Sequence, residues 1–148
     1  MGQISKFTNM GQMRTDTNVR PETKSGIYKI YMPRDTLLSF NIDTYTDDIL
    51  ETKMDVAEDL VLAYIGVSVN LRSRIVSDHI NGDLTASSFK RNISRFLRNE
   101  SMDDINRIID SCWVEWEVVE EKFMYIKEEI EIATHCTPLN RKGNKLGC

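Results

Sequence analysis

Leu60-Val61-Leu62-Ala63-Tyr64-Ile65-Gly66-Val67, followed by Ser68-Val69-Asn70-Leu71-Arg72-Ser73-Arg74, is the stretch that decides the fold. The first eight residues carry no charge and are rich in β-branched and aliphatic side chains. They read as a strand apolar enough to lie at the centre of a sheet. Asn70 is a good helix N-cap, and the residues after it read as a helix to about Ile80, closed by Gly82.

Working outward, Gly26-Ile27-Tyr28-Lys29-Ile30-Tyr31 alternates and is β-rich, and Pro33 follows it, so it reads as another strand. Residues 34–58 are a polar, acidic connection, long enough to be an insertion. Beyond Gly82, Ser87 or Ser88 opens a helix whose stripe is Phe89, Ile93, Phe96 and Leu97. Ser101 with Asp104 resembles a capping box before Ile105, Ile108 and Ile109. Cys112–Val119 reads as a third strand and Glu120–His135 as a long helix, with Pro138 beyond it. Residues 1–24 are polar and aperiodic, and read as a flexible or loosely docked arm. The expected architecture is one α/β (α+β) domain over residues 25–148, a small three-stranded antiparallel or mixed sheet flanked by helices.

The chain has 148 residues, 41% of them hydrophobic and 28% charged, which suits one soluble globular domain. Its apolar runs are too short to span a membrane, and no secretory signal is evident, so a cytoplasmic location with no membrane partner is expected. The three cysteines, Cys112, Cys136 and Cys148, form no metal-ligand spacing and are expected as reduced thiols. The net charge of −4 is unevenly spread. Residues 41–60 hold seven acids against Lys53, a local −6, while residues 68–98 hold six bases against Asp78 and Asp83, a local +4. Separate basic segments are what a polyanion-binding surface needs, whatever the total.

Taken in order, Gly26-Ile27-Tyr28, Tyr64-Ile65-Gly66, Arg74 on the following helix, Ser87-Ser88-Phe89-Lys90-Arg91, Glu128 with Ile132, and Pro138-Leu139-Asn140 resemble the GIY-YIG nuclease family. The resemblance runs from about Gly26 to Asn144, leaving out roughly residues 34–58. Each tripeptide alone is a weak signal, and the ordered set is a strong one.

The resemblance implies a metal-dependent DNA endonuclease that hydrolyses phosphodiester bonds. That reaction needs an activated water, neutralised phosphoryl oxygens and help for the leaving oxygen. The implied roles are Tyr28 as base, Tyr64 beside it orienting water or phosphate, and Arg74 holding a non-bridging oxygen with its planar fork. Glu128 would bind one Mg²⁺ or Mn²⁺, and Asn140 would brace the site. Arg72, Lys90, Arg91, Arg95, Arg141 and Lys142 would contact DNA phosphates. One such site cuts one strand at a time, so double-strand cleavage calls for a homodimer or two successive events.

Three features depart from the family pattern. Tyr28 and Tyr64 stand 36 positions apart, where the family uses a short turn. The slot one helical turn after Arg74 is Asp78, and His79 falls one step further, near the core-facing Ile75, Val76 and Ile80, so it is a secondary catalytic candidate and equally a core histidine. Glu129, by periodicity, points into an apolar arc of Tyr125, Ile126, Ile130 and Ala133, so it competes with Glu128 as the metal carboxylate. Read without the family, the tyrosines are core residues, Arg74 pairs with Asp78, and the glutamates are a solvated helix face. Two other functions fit the composition: a nucleic-acid-binding module of the same fold without turnover, and a protein-interaction domain using the acidic segment.

Overall fold

The computed structural model describes residues 6–40, 50–53, 59–97 and 101–140. The chain runs through β1 (Thr8–Asn9), α1 (Met10–Thr15), β2 (Gly26–Pro33), α2 (Arg34–Leu38), β3 (Leu60–Ser68), a π helix (Ser73–Ile80), α3 (Ser88–Phe96), α4 (Met102–Asp110), β4 (Trp113–Val118) and α5 (Glu121–Thr134). The sheet has four strands in the order β1-β4-β2-β3, with every neighbouring pair antiparallel. The expected three strands are β2, β3 and β4. The fourth, β1, was hidden in the polar N-terminal segment.

Residues 6–24 dock against the rest of the domain. Met10 and Met13 are buried in the main core, and Phe7 stacks on Trp113 with ring centroids 5.2 Å apart. Asn9 explains the docking. Its side-chain oxygen caps α1 by accepting from the Gln12 amide at 2.9 Å, while its amide nitrogen donates to the Asp110 and Cys112 carbonyls at the end of α4. Two sets of orphaned helix-end groups are thereby satisfied by one side chain. Arg14 adds a 2.7 Å ion pair to Asp110.

The helix starts lie where their caps place them. Ser87 accepts from the Lys90 amide, and Ser101 with Asp104 forms a complete capping box. The main core lies between one sheet face and α1, the π helix, α3 and α4. A second, smaller cluster of Ile27, Tyr31, Leu60, Leu62 and Ile65 packs toward Ile132 of α5 on the opposite face. Within the insertion, Leu37, Phe40 and Leu50 are buried and Thr52 bridges to Val61. Its residues 41–49 and 54–58 lie outside the described residues. Cys112 is a buried free thiol, Cys136 is buried, and Cys148 lies outside the described residues. Among the described residues no helix is long and apolar enough to cross a membrane.

Candidate active site

Antiparallel register brings the two sequence-distant tyrosines together. Tyr28 pairs with Gly66, and Ile30 pairs with Tyr64. The tyrosines are therefore diagonal neighbours on one face, with ring centroids 6.3 Å apart. The 36-residue separation costs nothing in geometry, because β2 and β3 close over the insertion.

Gly66 is required by close approach. A Cβ there would lie 2.3 Å from the Tyr28 hydroxyl oxygen and 2.4 Å from its Cζ, so only glycine lets the phenol lie against β3. Gly26 is required for the same kind of reason, since a Cβ would sit 2.2 Å from the Glu117 carbonyl oxygen across the sheet.

The register shifts between Ile30 and Tyr31, whose partners are Tyr64 and Leu62. Ala63 is the extra residue, a β-bulge that frees its backbone from the ladder. The Ala63 carbonyl accepts from the Leu139 amide at 2.9 Å, and Asn92 of α3 donates to the Leu139 carbonyl at 2.7 Å. The turn held this way delivers Asn140 to the outer edge of β3. There the Asn140 amide spans Ile65, accepting from its N–H at 2.9 Å and donating to its carbonyl at 2.8 Å. Asn140 thus works as one more strand residue, tying the C-terminal turn to the Tyr64-Ile65-Gly66 strand.

The π helix resolves the mismatch after Arg74. The helix opens with α-type bonding, the Arg74 amide donating to Asn70, then widens until the Asn81 amide reaches Val76, five residues back. A π turn takes one more residue than an α turn, and such turns recur at functional sites. His79, five positions after Arg74, therefore occupies the place one turn on. Asp78 instead pairs with Arg74, with Nε and Oδ2 at 3.2 Å.

His79 is fully buried among Tyr28, Tyr64 and Phe89. Its Nε2 lies 2.6 Å from the Tyr28 hydroxyl and its Nδ1 lies 2.7 Å from the Ser87 hydroxyl. Burial first, then the positive charges of Arg74, Lys90 and Arg91, push its pKa down to about 3, so the ring is neutral near pH 7. Burial raises the Tyr28 phenol well above its ordinary range, and the neighbouring Tyr64 adds to this, with Arg74 pulling the other way. Tyr64 is raised for the same leading reason, offset first by its 2.7 Å hydrogen bond to Ser88.

In front of this buried group opens a cleft of about 660 Å³, lined among others by Tyr64, Ser88, Arg91, Arg95, Glu128 and Asn140. Tyr28 does not line it and is 1% exposed. The tyrosine that faces the cleft is Tyr64, at 8%. Glu128 is half-buried at the cleft wall. Its carboxyl is raised by burial and then by the adjacent Glu129. The supposed apolar arc around Glu129 is not core. Tyr125, Ile126 and Ile130 are all exposed, and Glu129 is exposed with them. The buried side of α5 is marked instead by Met124.

Of the basic residues expected to meet phosphate, Arg91 and Arg95 line the cleft. Arg72 is exposed on the helix start, its Nε donating to the Pro21 carbonyl. Lys90 does not belong to that set. It is 1% exposed, and its Nζ donates to the Ile80 and Gly82 carbonyls and to Asn106. Its side chain lies on the buried stripe of α3 with Phe89 and Ile93. Arg141 and Lys142 lie outside the described residues. Sequence reasoning missed Ser88 and Asn92 as cleft residues and Ser87 as a partner of His79. Their only signal was their place at and after the start of α3.

Residues 26–147 match the family described as the GIY-YIG catalytic domain. No curated protein and no solved structure matches the chain.

Proposed function

This chain belongs to the GIY-YIG family of nucleases, and from that premise we propose that it is a metal-dependent DNA endonuclease working in the cleft between α3 and α5. The observation that carries the reading is the content of that cleft: a tyrosine, two arginines, the adjacent glutamates Glu128 and Glu129 and the bracing asparagine share one concave surface, with the Tyr28–His79 pair directly behind Tyr64.

A phosphodiester would lie with its non-bridging oxygens toward Arg91 and Arg95, held by charge-assisted hydrogen bonds. Arg74 supplies further positive potential to the tyrosines, which it draws down against the effect of burial. Tyr64 orients the attacking water. Tyr28 does not line the cleft; hydrogen-bonded to Nε2 of His79, it stands behind Tyr64 and helps to hold that ring in place, and the proton given up by the water leaves to solvent through the open cleft.

The donor set fits one Mg²⁺ or Mn²⁺. Among the described residues no group of three or more His, Cys, Asp or Glu side chains gathers to cage an ion. A lone carboxylate, with water and phosphate oxygens completing the shell, is how Mg²⁺ is commonly held. Glu128 suits that place, because a cation would relieve the burial and the Glu129 repulsion that raise its pKa. When bound, the metal would stabilise charge on the phosphoryl group and the leaving oxygen. Glu129 lines the same cleft but is the more exposed of the two, and it is the weaker choice.

Conversion of supercoiled plasmid to nicked circles in Mg²⁺ at low salt tests the reading, with EDTA and Arg74→Ala as controls. Metal-dependent nicking that Arg74→Ala weakens supports it. The burial of Tyr28 favours one other reading, a nucleic-acid-binding module of the same fold without turnover. Salt-sensitive DNA binding with no nicking under any metal would select that one.

A further inference from the structure

Behind the cleft, three groups stand in a row: the Tyr28 hydroxyl, the His79 ring and the Ser87 hydroxyl, at 2.6 Å and 2.7 Å. Tyr28, His79 and Ser87 are all buried. The neutral imidazole has one N–H and one bare nitrogen, so the row points one way or the other. We propose that Ser87 is a positioning residue that fixes His79 with its proton on Nδ1, leaving Nε2 bare to accept the hydrogen bond of the Tyr28 hydroxyl. The proposed role in cleavage rests on the nuclease reading above, whereas the tautomer itself does not.

The geometry favours this direction for two reasons. Tyr28 has one hydrogen-bond partner among the described residues, Nε2 of His79. If Nε2 carried the proton, the phenol's own proton would be buried without an acceptor, and an unmade buried bond costs more than a made one returns. With the proton on Nδ1, the Ser87 oxygen accepts it. The same oxygen accepts the Lys90 amide at 3.0 Å as the N-cap of α3, which uses its two lone pairs. The donor left to rotate is then an alcohol, a weaker donor than a phenol. The N-cap is thus also what holds the catalytic-site histidine in register. Ser87 is in turn held by its amide, which donates to the Asp83 carbonyl.

A long-range ¹H–¹⁵N correlation spectrum of the histidine rings reads the tautomer directly. The chain has two histidines, and His135→Gln assigns them. In the wild type, His79 should show a protonated Nδ1 and a bare Nε2. Ser87→Gly keeps most of the capping and removes the acceptor. It should move His79 to a tautomer mixture or to the Nε2–H form, and Ser87→Thr should restore the wild-type pattern. In nicking assays Ser87→Gly should lower kcat about tenfold with KM unchanged, recovered in Ser87→Thr. A wild-type ring protonated on Nε2, or a tautomer indifferent to Ser87→Gly, overturns the proposal. A correct tautomer in a protein that never cuts DNA would sink the nuclease reading and leave the tautomer assignment standing.

Discussion

Nε2 of His79 and the Tyr28 hydroxyl lie 2.6 Å apart, although they are 51 residues apart in sequence and one is carried by a π helix. The contact depends on two local irregularities. The π turn carries His79 to the face that an α helix would have given Asp78. The glycine at position 66 leaves room for the phenol.

Gly66→Ala should therefore strike Tyr28. The added methyl would fall 2.3 Å from the phenol oxygen, and overpacking of this kind costs roughly 1–3 kcal/mol. Urea denaturation should show that loss in the wild-type background and a smaller one in a Tyr28→Ala background, because the two sites share one space. Equal losses in both backgrounds would place the strain elsewhere.

His79 sets a pH dependence of stability. Its folded pKa, about 3, lies below the unfolded value of roughly 6.5. Below pH 6.5 the unfolded chain binds a proton that the folded chain refuses. Stability from this group is therefore complete above about pH 6.5 and falls as pH drops below it. Arg74 on the same helix, Lys90 and Arg91 on α3, and Tyr28 and Tyr64 on the sheet are the titratable or charged groups that surround it. His79→Gln should flatten the slope between pH 6 and 4 in urea titrations. An unchanged slope would show that other groups set it.

Lys90 and Arg95 should separate stability from binding. Lys90→Met leaves two backbone carbonyls and Asn106 without their buried donor. It should cost about 2–4 kcal/mol, as such orphaned groups do, and leave the salt dependence of DNA binding unchanged. Arg95→Ala, at the exposed cleft edge, should leave stability nearly unchanged and lower the slope of log K against log salt by about one. The reverse pattern would mean that Lys90 reaches DNA after all.

The fold was legible where the apolar pattern is long or the punctuation strong. The strands containing Tyr28, Tyr64 and Trp116 follow from alternation and apolar runs, and α3 and α4 from serine caps. The N-terminal docking was not legible, because it rests on two buried methionines, one stacked phenylalanine and an asparagine whose partners lie 101 and 103 residues away. Periodicity also misled at α5, where Tyr125, Ile126 and Ile130 mark an exposed face and not the core. Of the cleft residues, Tyr64, Arg91, Glu128 and Asn140 were legible as an ordered motif, and Arg95 only as one of several basic residues on the same helix. His79 was legible as a core-facing residue, but its contact with Tyr28 was not, because a helical wheel assumes α geometry and this helix widens. The burial of Lys90 was hidden for a simpler reason: a basic residue beside Arg91 looks like surface until its carbonyl acceptors are seen.

The most direct measurement compares plasmid nicking by the wild type and by Glu128→Gln in Mg²⁺, with duplex binding measured in parallel. The expected result is nicking by the wild type that EDTA abolishes, and a fall of roughly a hundredfold or more in Glu128→Gln with DNA affinity changed by no more than a few-fold. Nicking by Glu128→Gln at the wild-type rate would contradict the place given to that carboxylate, and a wild type that binds duplex but never nicks it would contradict the nuclease itself.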